Sequence, residues 1–180
     1  MKITTTPIEG ILIIEPQIFK DTRGYFFESY NESKMHAAGI QLNFVQDNQS
    51  FSQKGAIRGL HFQAPPFEQG KLVRVIAGAV RDVVVDIRKN SPSYGQHFAI
   101  DLTAENQLMF WIPPGFAHGF ETLADNTIFL YKCTNLYHKE SEGGLLWNDP
   151  ALGIQWQTKE AIVSDKDILL PTLKDFVSPF

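Results

Sequence analysis

Short apolar segments alternate with turn residues along almost the whole chain. β-branched, aliphatic and aromatic residues fill the segments, and Gly, Pro, Asn or Ser separates many of them at spacings of roughly 8–12 residues. The predicted strands cover residues 11–14, 25–30, 56–62, 71–77, 80–87, 97–102, 108–112, 116–122 and 127–132. This rhythm predicts an all-β fold: a β-sandwich, jelly roll or barrel.

Two of these segments lack the one-sided pattern of a strand at the surface. Residues 83–85 are three consecutive valines, which indicates a strand covered on both faces. Residues 25–27 read Tyr-Phe-Phe, and neighbouring side chains of a strand point to opposite faces. One face of that strand must therefore contact something other than its own core, and a partner subunit or a flat ligand would serve.

Helix signals are scarce. Residues 33–38 predict one short helix, with Asn31 or Ser33 as its cap and Gly39 as its stop. The stretch from Lys159 onward predicts another turn or two.

Composition narrows the class of protein. A chain of 180 residues with 43% hydrophobic and 20% charged residues predicts a single folded domain over residues 1–180. The net charge of -4 disfavours a nucleic-acid-binding face, and no apolar run approaches the ~18 residues of a membrane span. The N-terminus lacks the apolar core of a signal peptide, so we expect a cytoplasmic protein. The one cysteine, Cys133, cannot form an internal disulfide.

Two of the five histidines have unusual surroundings. His61 lies in Arg-Gly-Leu-His-Phe-Gln, and His118 follows Pro-Pro-Gly-Phe-Ala. Strict alternation along a strand would place His61 and Arg58 on opposite faces. A structural histidine is the ordinary interpretation of either residue, and two in one aromatic, β-rich setting favour a site. A metal-free base would also need a carboxylate to orient it.

The spacing around these histidines resembles the cupin superfamily. The segment ending at His118 fits P-x-G-x-x-H, and Gly55 followed by His61 fits the opening G-x5-H. The metal-binding form of the motif requires a second His at position 63, where this chain has Gln, a much poorer ligand. His61, Glu68 and His118 could still supply two imidazoles and a carboxylate, so a metal-dependent cupin stays open.

A longer set of motifs resembles one family of cupins, the dTDP-4-dehydrorhamnose 3,5-epimerases. The motifs lie at residues 21–30, 44–48, 57–63, 69–74, 86–88, 111–120, 129–132, 146–149 and 164–167. The resemblance covers roughly residues 5 to 170. It implies a cupin jelly roll with a few short helices, without metal or cofactor, that epimerises carbons 3 and 5 of a dTDP-linked 4-keto-6-deoxy sugar.

The resemblance also implies roles for individual residues. His61 matches the base, Asp167 its orienting partner, Tyr131 the general acid and Lys71 the residue beside the ketone oxygen. Substrate-binding positions match Arg23, Phe26, Glu28, Gln46, Asp47, Asn48, Arg58, His118, Tyr137, Glu142 and Lys166. The family forms homodimers in which the N-terminal strand reaches into the partner's site, which would explain the two-sided aromatic strand.

Three functions are compatible with the sequence. They are a metal-free epimerase, a metal-dependent cupin such as an oxygenase or sugar isomerase, and a non-catalytic sugar-binding module. Elemental analysis separates the first two, and exchange of substrate hydrogens with heavy water separates an enzyme from a binder. Within the epimerase family some members invert only one carbon, and Tyr131 favours the double inversion.

Overall fold

Two antiparallel sheets face each other in the computed structural model, which describes all 180 residues. The six-stranded sheet consists, in spatial order, of β1 (Lys2–Thr5), β2 (Leu12–Glu15), β10 (Met109–Ile112), β7 (Lys71–Ala77), β12 (Thr127–Cys133) and β5 (Gln46–Ser52). The five-stranded sheet consists of β13 (Glu142–Gly144), β6 (Ile57–Gln63), β11 (Phe116–Thr122), β8 (Ala79–Asp86) and β9 (His97–Thr103). The predicted jelly-roll sandwich is confirmed.

The remaining elements are short. A separate hairpin pairs β3 (Phe19–Asp21) with β4 (Gly24–Phe26), and the helices are α1 (Glu32–Ala37) and α2 (Asp165–Ile168). Single 3-10 turns cover Lys139–Ser141 and Pro150–Leu152. The predicted first helix is confirmed, with the Asn31 side chain accepting from the Lys34 amide as its cap. The predicted strand over residues 25–30 is wrong beyond Phe26, because the chain leaves the hairpin there toward α1.

One apolar cluster holds the two sheets together. Val73 and Phe129 come from the six-stranded sheet, whereas Val84, Phe116 and Phe120 come from the five-stranded sheet. The Phe120 and Phe129 rings lie 4.3 Å apart between centroids. Residues 83–85 are all fully buried, so the prediction of a strand covered on both faces is confirmed.

The residue that ends β8 anchors the following loop. Asp86 is buried and accepts hydrogen bonds from the Arg88 guanidinium and the Ser91 and Ser93 hydroxyls. Burial acts to raise the pKa of Asp86, but these bonds outweigh it and lower the pKa to about 2. The ionised carboxylate therefore stabilises the fold.

The segment over residues 27–44, which includes α1, covers part of the outer face of the six-stranded sheet. The Arg74 guanidinium lies 5.1 Å from the centroid of the Phe27 ring, and the Phe44 ring packs on Trp111. The hairpin itself leaves large aromatic side chains in solvent, with Tyr25 58% and Phe26 70% exposed. That a partner subunit covers them stays a prediction.

An irregularity in β6 determines which of its side chains share a face. His61 pairs with His118, but Arg58, three residues earlier, pairs with Phe120, only two residues later. The extra residue in β6 resets the alternation, so Arg58 and His61 line the same cavity. The sequence-based expectation that they face opposite ways is therefore wrong.

Candidate active site

A histidine–carboxylate pair stands at the centre of the site. His61 Nε2 lies 2.6 Å from Asp167 Oδ1, although the two residues are far apart in sequence. Asp167 is 3% exposed, whereas the His61 side chain remains 29% exposed. Because Asp167 occupies Nε2, the imidazole presents Nδ1 as its free basic nitrogen.

Helix α2 holds the carboxylate in place. The Ser164 side chain caps the helix by accepting from the Asp167 amide, and Asp167 Oδ2 accepts from the Gly59 amide at 3.3 Å. Burial acts to raise the pKa of Asp167, but the hydrogen bonds from His61 and the Gly59 amide outweigh it, so the pKa lies below its usual value. Asp167 is therefore ionised at neutral pH.

A cavity of about 640 Å³ opens beside this pair, between the two sheets. The five-stranded sheet contributes Arg58, His61 and His118, and the six-stranded sheet contributes Asn48, Ser50, Lys71, Phe129 and Tyr131. Residues 162–164 with Lys166 and Asp167 complete the wall. The volume suits a ligand larger than a single sugar ring.

Lys71 and Tyr131 face the histidine from the opposite sheet. Burial lowers the pKa of the Lys71 ammonium, while Cys133, Asp82 and Glu142 act in the opposite direction. Burial also raises the pKa of the Tyr131 hydroxyl, so Tyr131 holds its proton at neutral pH. One wall of the cavity thus presents an imidazole, and the other presents a protonated phenol and an amine.

A second, deeper histidine–carboxylate pair lies beneath the cavity. His118 Nε2 lies 2.9 and 3.0 Å from the two Asp82 oxygens, and both residues are buried. Burial raises the pKa of Asp82 and lowers that of His118. Sequence analysis predicted His118 as a site residue but missed Asp82. The available signal was that Asp82 directly precedes the three consecutive valines of β8.

The amide of Gln63 is committed to the backbone. Its nitrogen donates to the carbonyls of Phe67 and Leu136, and its oxygen accepts from the His138 amide. These bonds hold two loops against the end of β6, a structural role for the residue at the cupin ligand position. No group of three His, Cys, Asp or Glu side chains is arranged to hold a metal ion.

The other predicted residues near the dyad form a polar rim. Glu142 Oε2 accepts from the Tyr137 hydroxyl at 2.9 Å and lies 2.6 Å from Lys166 Nζ. Gln46 donates to the Asn48 side chain and accepts from the Tyr137 amide. The structure thus brings all five of these predicted residues to the edge of the same site.

Four predicted residues do not reach this chain's own cavity. Arg23 pairs with Asp21 at the tip of the exposed hairpin, Phe26 belongs to that hairpin, and Glu28 pairs with Lys34. Asp47 points to the outer face of β5, where it pairs with Lys132 at 2.9 Å. Their predicted contact with substrate would require a neighbouring subunit.

None of the helices has the length and apolar character needed to cross a membrane.

Comparisons with known proteins agree with this geometry. The family model for dTDP-4-dehydrorhamnose 3,5-epimerase matches residues 5–175. The curated dTDP-4-dehydrorhamnose 3,5-epimerase of Escherichia coli (strain K12) is 50% identical over 179 residues, which cover 98% of this chain and 97% of that protein.

Solved structures show the same relationship. The dTDP-6-deoxy-D-glucose-3,5-epimerase of Legionella pneumophila Philadelphia 1, in complex with dTDP-4-keto-L-rhamnose, is 47% identical with a TM-score of 0.94, covering 98% of this chain and 94% of that one. A 3'-monoepimerase from Streptomyces bikiniensis, in complex with dTDP-quinovose, is 34% identical with a TM-score of 0.89, covering 94% and 86%. The family implied by the sequence motifs is confirmed: this chain belongs to the dTDP-4-dehydrorhamnose 3,5-epimerase family.

Proposed function

We propose that the protein converts dTDP-4-dehydro-6-deoxy-D-glucose to dTDP-4-dehydro-L-rhamnose, by inverting carbons 3 and 5, in dTDP-L-rhamnose biosynthesis. The observation that carries the proposal is the opposition of the His61–Asp167 pair on one sheet to Tyr131 and Lys71 on the other, across one cavity. Inversion requires a proton to leave one face of a carbon and another to arrive at the opposite face. Groups on facing sheets meet that requirement.

The chemistry begins with the ketone at carbon 4. It acidifies the hydrogens on carbons 3 and 5, because either carbanion is stabilised as an enolate. One base serves both positions if the ring offers both hydrogens to the same side. His61 Nδ1 takes the proton, and the ionised Asp167 stabilises the resulting imidazolium through Nε2.

The opposite wall completes the inversion. Lys71 stabilises the enolate oxygen by its positive charge, so the proposed mechanism needs no metal ion for this step. Tyr131 then protonates the carbon from the other face, because burial keeps its hydroxyl protonated at neutral pH.

The substrate's nucleotide explains the size of the site. The cavity of about 640 Å³ exceeds what the sugar alone fills, and Arg58 supplies a cation for a phosphate. We propose that the exposed hairpin bearing Arg23 and Phe26 joins the site of a second subunit, which makes the active protein a homodimer. We further propose a cytoplasmic location, because a charged nucleotide sugar does not cross membranes unaided.

A single inversion is the second candidate, because a structural neighbour at 34% identity is a 3'-monoepimerase. A single epimerase incorporates one solvent deuteron per product in heavy water, whereas the double epimerase incorporates two, at carbons 3 and 5.

The variant Tyr131→Phe tests whether one wall removes the proton and the other wall returns one. It removes one hydroxyl and little volume, so the fold should survive. His61 would still abstract protons and Lys71 would still hold the enolate. We expect epimerised product to fall by ~10²–10⁴-fold, the usual contribution of general acid catalysis. Deuterium incorporation into recovered substrate should fall much less.

The measurement is product by chromatography beside deuterium in recovered substrate by mass spectrometry. Unchanged product formation in Tyr131→Phe would assign the acid role elsewhere, with Tyr137 or a water molecule as the next candidates.

A further inference from the structure

The proposed reaction separates protons across the sugar. After each inversion His61 carries a proton that it took from the substrate, and Tyr131 lacks the proton that it gave. A second inversion on the same ring needs a neutral imidazole and a protonated phenol again. The net change between the two inversions is therefore the loss of one proton from the imidazolium and the gain of one by the phenolate. Transfer of a proton from the first to the second balances the cycle without any further reactant.

The substrate itself obstructs the direct route for this proton. His61 stands on β6 of the five-stranded sheet and Tyr131 on β12 of the six-stranded sheet. A sugar ring that offers one face to the base and the other to the acid lies between them. The return route must therefore pass around the ring.

A second cavity, of about 110 Å³, offers such a route, and we name it the side cavity. His61, Lys71, Tyr131 and Asn48 line both this space and the larger cavity. The other residues that line it are Gln46, Phe62, Gln63, Gln69, Tyr137 and Glu142. At ~30 Å³ for each water molecule, the side cavity has room for about three or four.

The walls of the side cavity are polar and held by the backbone. Gln63 and Gln69 donate to the carbonyls of Leu136 and Asn135, and Gln46 accepts from the Tyr137 amide. Side chains fixed in this way keep the cavity open while the substrate changes shape. A polar cavity with several possible partners is a favourable place for ordered water.

Glu142 lines the side cavity with a carboxylate that is paired with Lys166. Burial acts to raise its pKa, but the bonds from Lys166 and Tyr137 outweigh that effect, and the pKa lies below the usual value. The residue is therefore a carboxylate at neutral pH. Tyr137 and Lys166 both contact Oε2, which leaves Oε1 to accept a hydrogen bond from a water molecule and so to orient a water chain.

We propose that the side cavity holds a short water chain that returns the proton from His61 to Tyr131 between the two inversions, with Glu142 as the positioning residue of that chain. This inference rests on the proposed function. Its specific consequence is that the first inversion does not need the return path, whereas the second does.

The experiment compares the two inversions within one turnover. Enzyme in excess is mixed with dTDP-4-dehydro-6-deoxy-D-glucose, quenched at intervals and reduced with borohydride, so that singly and doubly inverted sugars separate by chromatography. For Glu142→Gln we expect the rate of the second inversion, relative to the first, to fall at least tenfold, with the singly inverted sugar accumulating. Glu142→Asp should recover part of the ratio.

Glu140→Gln is the matched control, because Glu140 is an exposed carboxylate two residues away that lines neither cavity. Tyr137→Phe removes only the hydroxyl that donates to Glu142, and we expect it to lower the ratio at least threefold. If Glu142→Gln does not fold, the Tyr137→Phe variant tests the proposed return path in its place.

Two results would overturn the proposal. Equal slowing of both inversions in Glu142→Gln would make Glu142 a substrate-binding residue only, and an unchanged ratio in the folded variant would remove the return path. A different result would contradict the proposed function itself: the His61→Asn variant would carry out the first inversion at the normal rate.

Discussion

Asp167→Asn is the most informative change to the dyad, because it keeps the shape of the side chain and removes its charge. The carboxylate accepts two hydrogen bonds, from His61 Nε2 at 2.6 Å and from the Gly59 amide at 3.3 Å. An asparagine has only one oxygen for these two donors. If that oxygen accepts from Gly59, the amide nitrogen donates to His61 Nε2, and the imidazole proton moves to Nδ1, the atom that must act as the base.

The size of the effect follows from the bond that is lost. A hydrogen bond to a charged group contributes ~1.5–3 kcal/mol, and each ~1.4 kcal/mol is tenfold in rate. Loss of the charge partner alone therefore slows the reaction roughly 10- to 100-fold, and the wrong tautomer slows it further. We expect kcat to fall at least 100-fold, with little change in nucleotide binding, because Asp167 acts on the imidazole.

The assay follows product by chromatography and hydrogen exchange in heavy water by mass, with circular dichroism to confirm folding. Asp165→Asn is the matched control, since Asp165 is an exposed carboxylate in the same turn of α2. It should retain nearly full activity. A folded Asp167→Asn protein with more than half of the parent activity would refute the assignment of the dyad.

Four further predictions concern metal, pH, assembly and stability. Dialysis against a chelator should leave activity intact, because Gln63 is committed to the backbone; loss of activity that added metal restores would contradict this. Burial lowers the pKa of Lys71, so activity should decline as pH rises through a value below the usual lysine pKa of ~10.4. In a pH–rate profile, Lys71→Arg should shift that decline to higher pH, and a decline at the same pH would exclude Lys71 as its cause. Light scattering should find a homodimer that Phe26→Ser weakens, and a fully active monomer would contradict the shared site. Asp86→Asn should lower the free energy of unfolding by about 2 kcal/mol at pH 7, because folding lowers the pKa of Asp86 from 3.8 to about 2. In denaturant titrations, the free energies of unfolding of parent and variant should converge as pH falls toward 2, and a difference that does not change with pH would contradict this.

The regular part of the fold was predictable because its strands have apolar inward positions. The predicted strands over residues 71–77 and 116–122 coincide with β7 and β11. The strand β5 was missed because its inward positions, Gln46, Asn48 and Ser50, are polar. These side chains face the cavity and the rim of the site and do not pack in the apolar core. The alternation of apolar and polar residues that marks a strand is therefore absent from β5.

The site was predictable mainly through its motifs. Side-chain periodicity alone placed Arg58 on the wrong face, because a register shift between two strands leaves no mark in one sequence. Periodicity would have helped with Asp47: if Gln46 and Asn48 face inward, their neighbour faces outward. The pairing of His61 with Asp167 joins segments 106 residues apart, so only the family motifs could predict it, and side-chain spacing could not.

In the proposed mechanism one base, His61, removes the hydrogens from both carbons. The most direct measurement is incubation of the parent protein and of His61→Asn with dTDP-4-dehydro-6-deoxy-D-glucose in heavy water, with deuterium read by mass at carbons 3 and 5. We expect two deuterons per product for the parent, and loss of exchange at both carbons in a folded His61→Asn protein that still binds the nucleotide. Exchange at either carbon at near the parent rate in His61→Asn would contradict this mechanism.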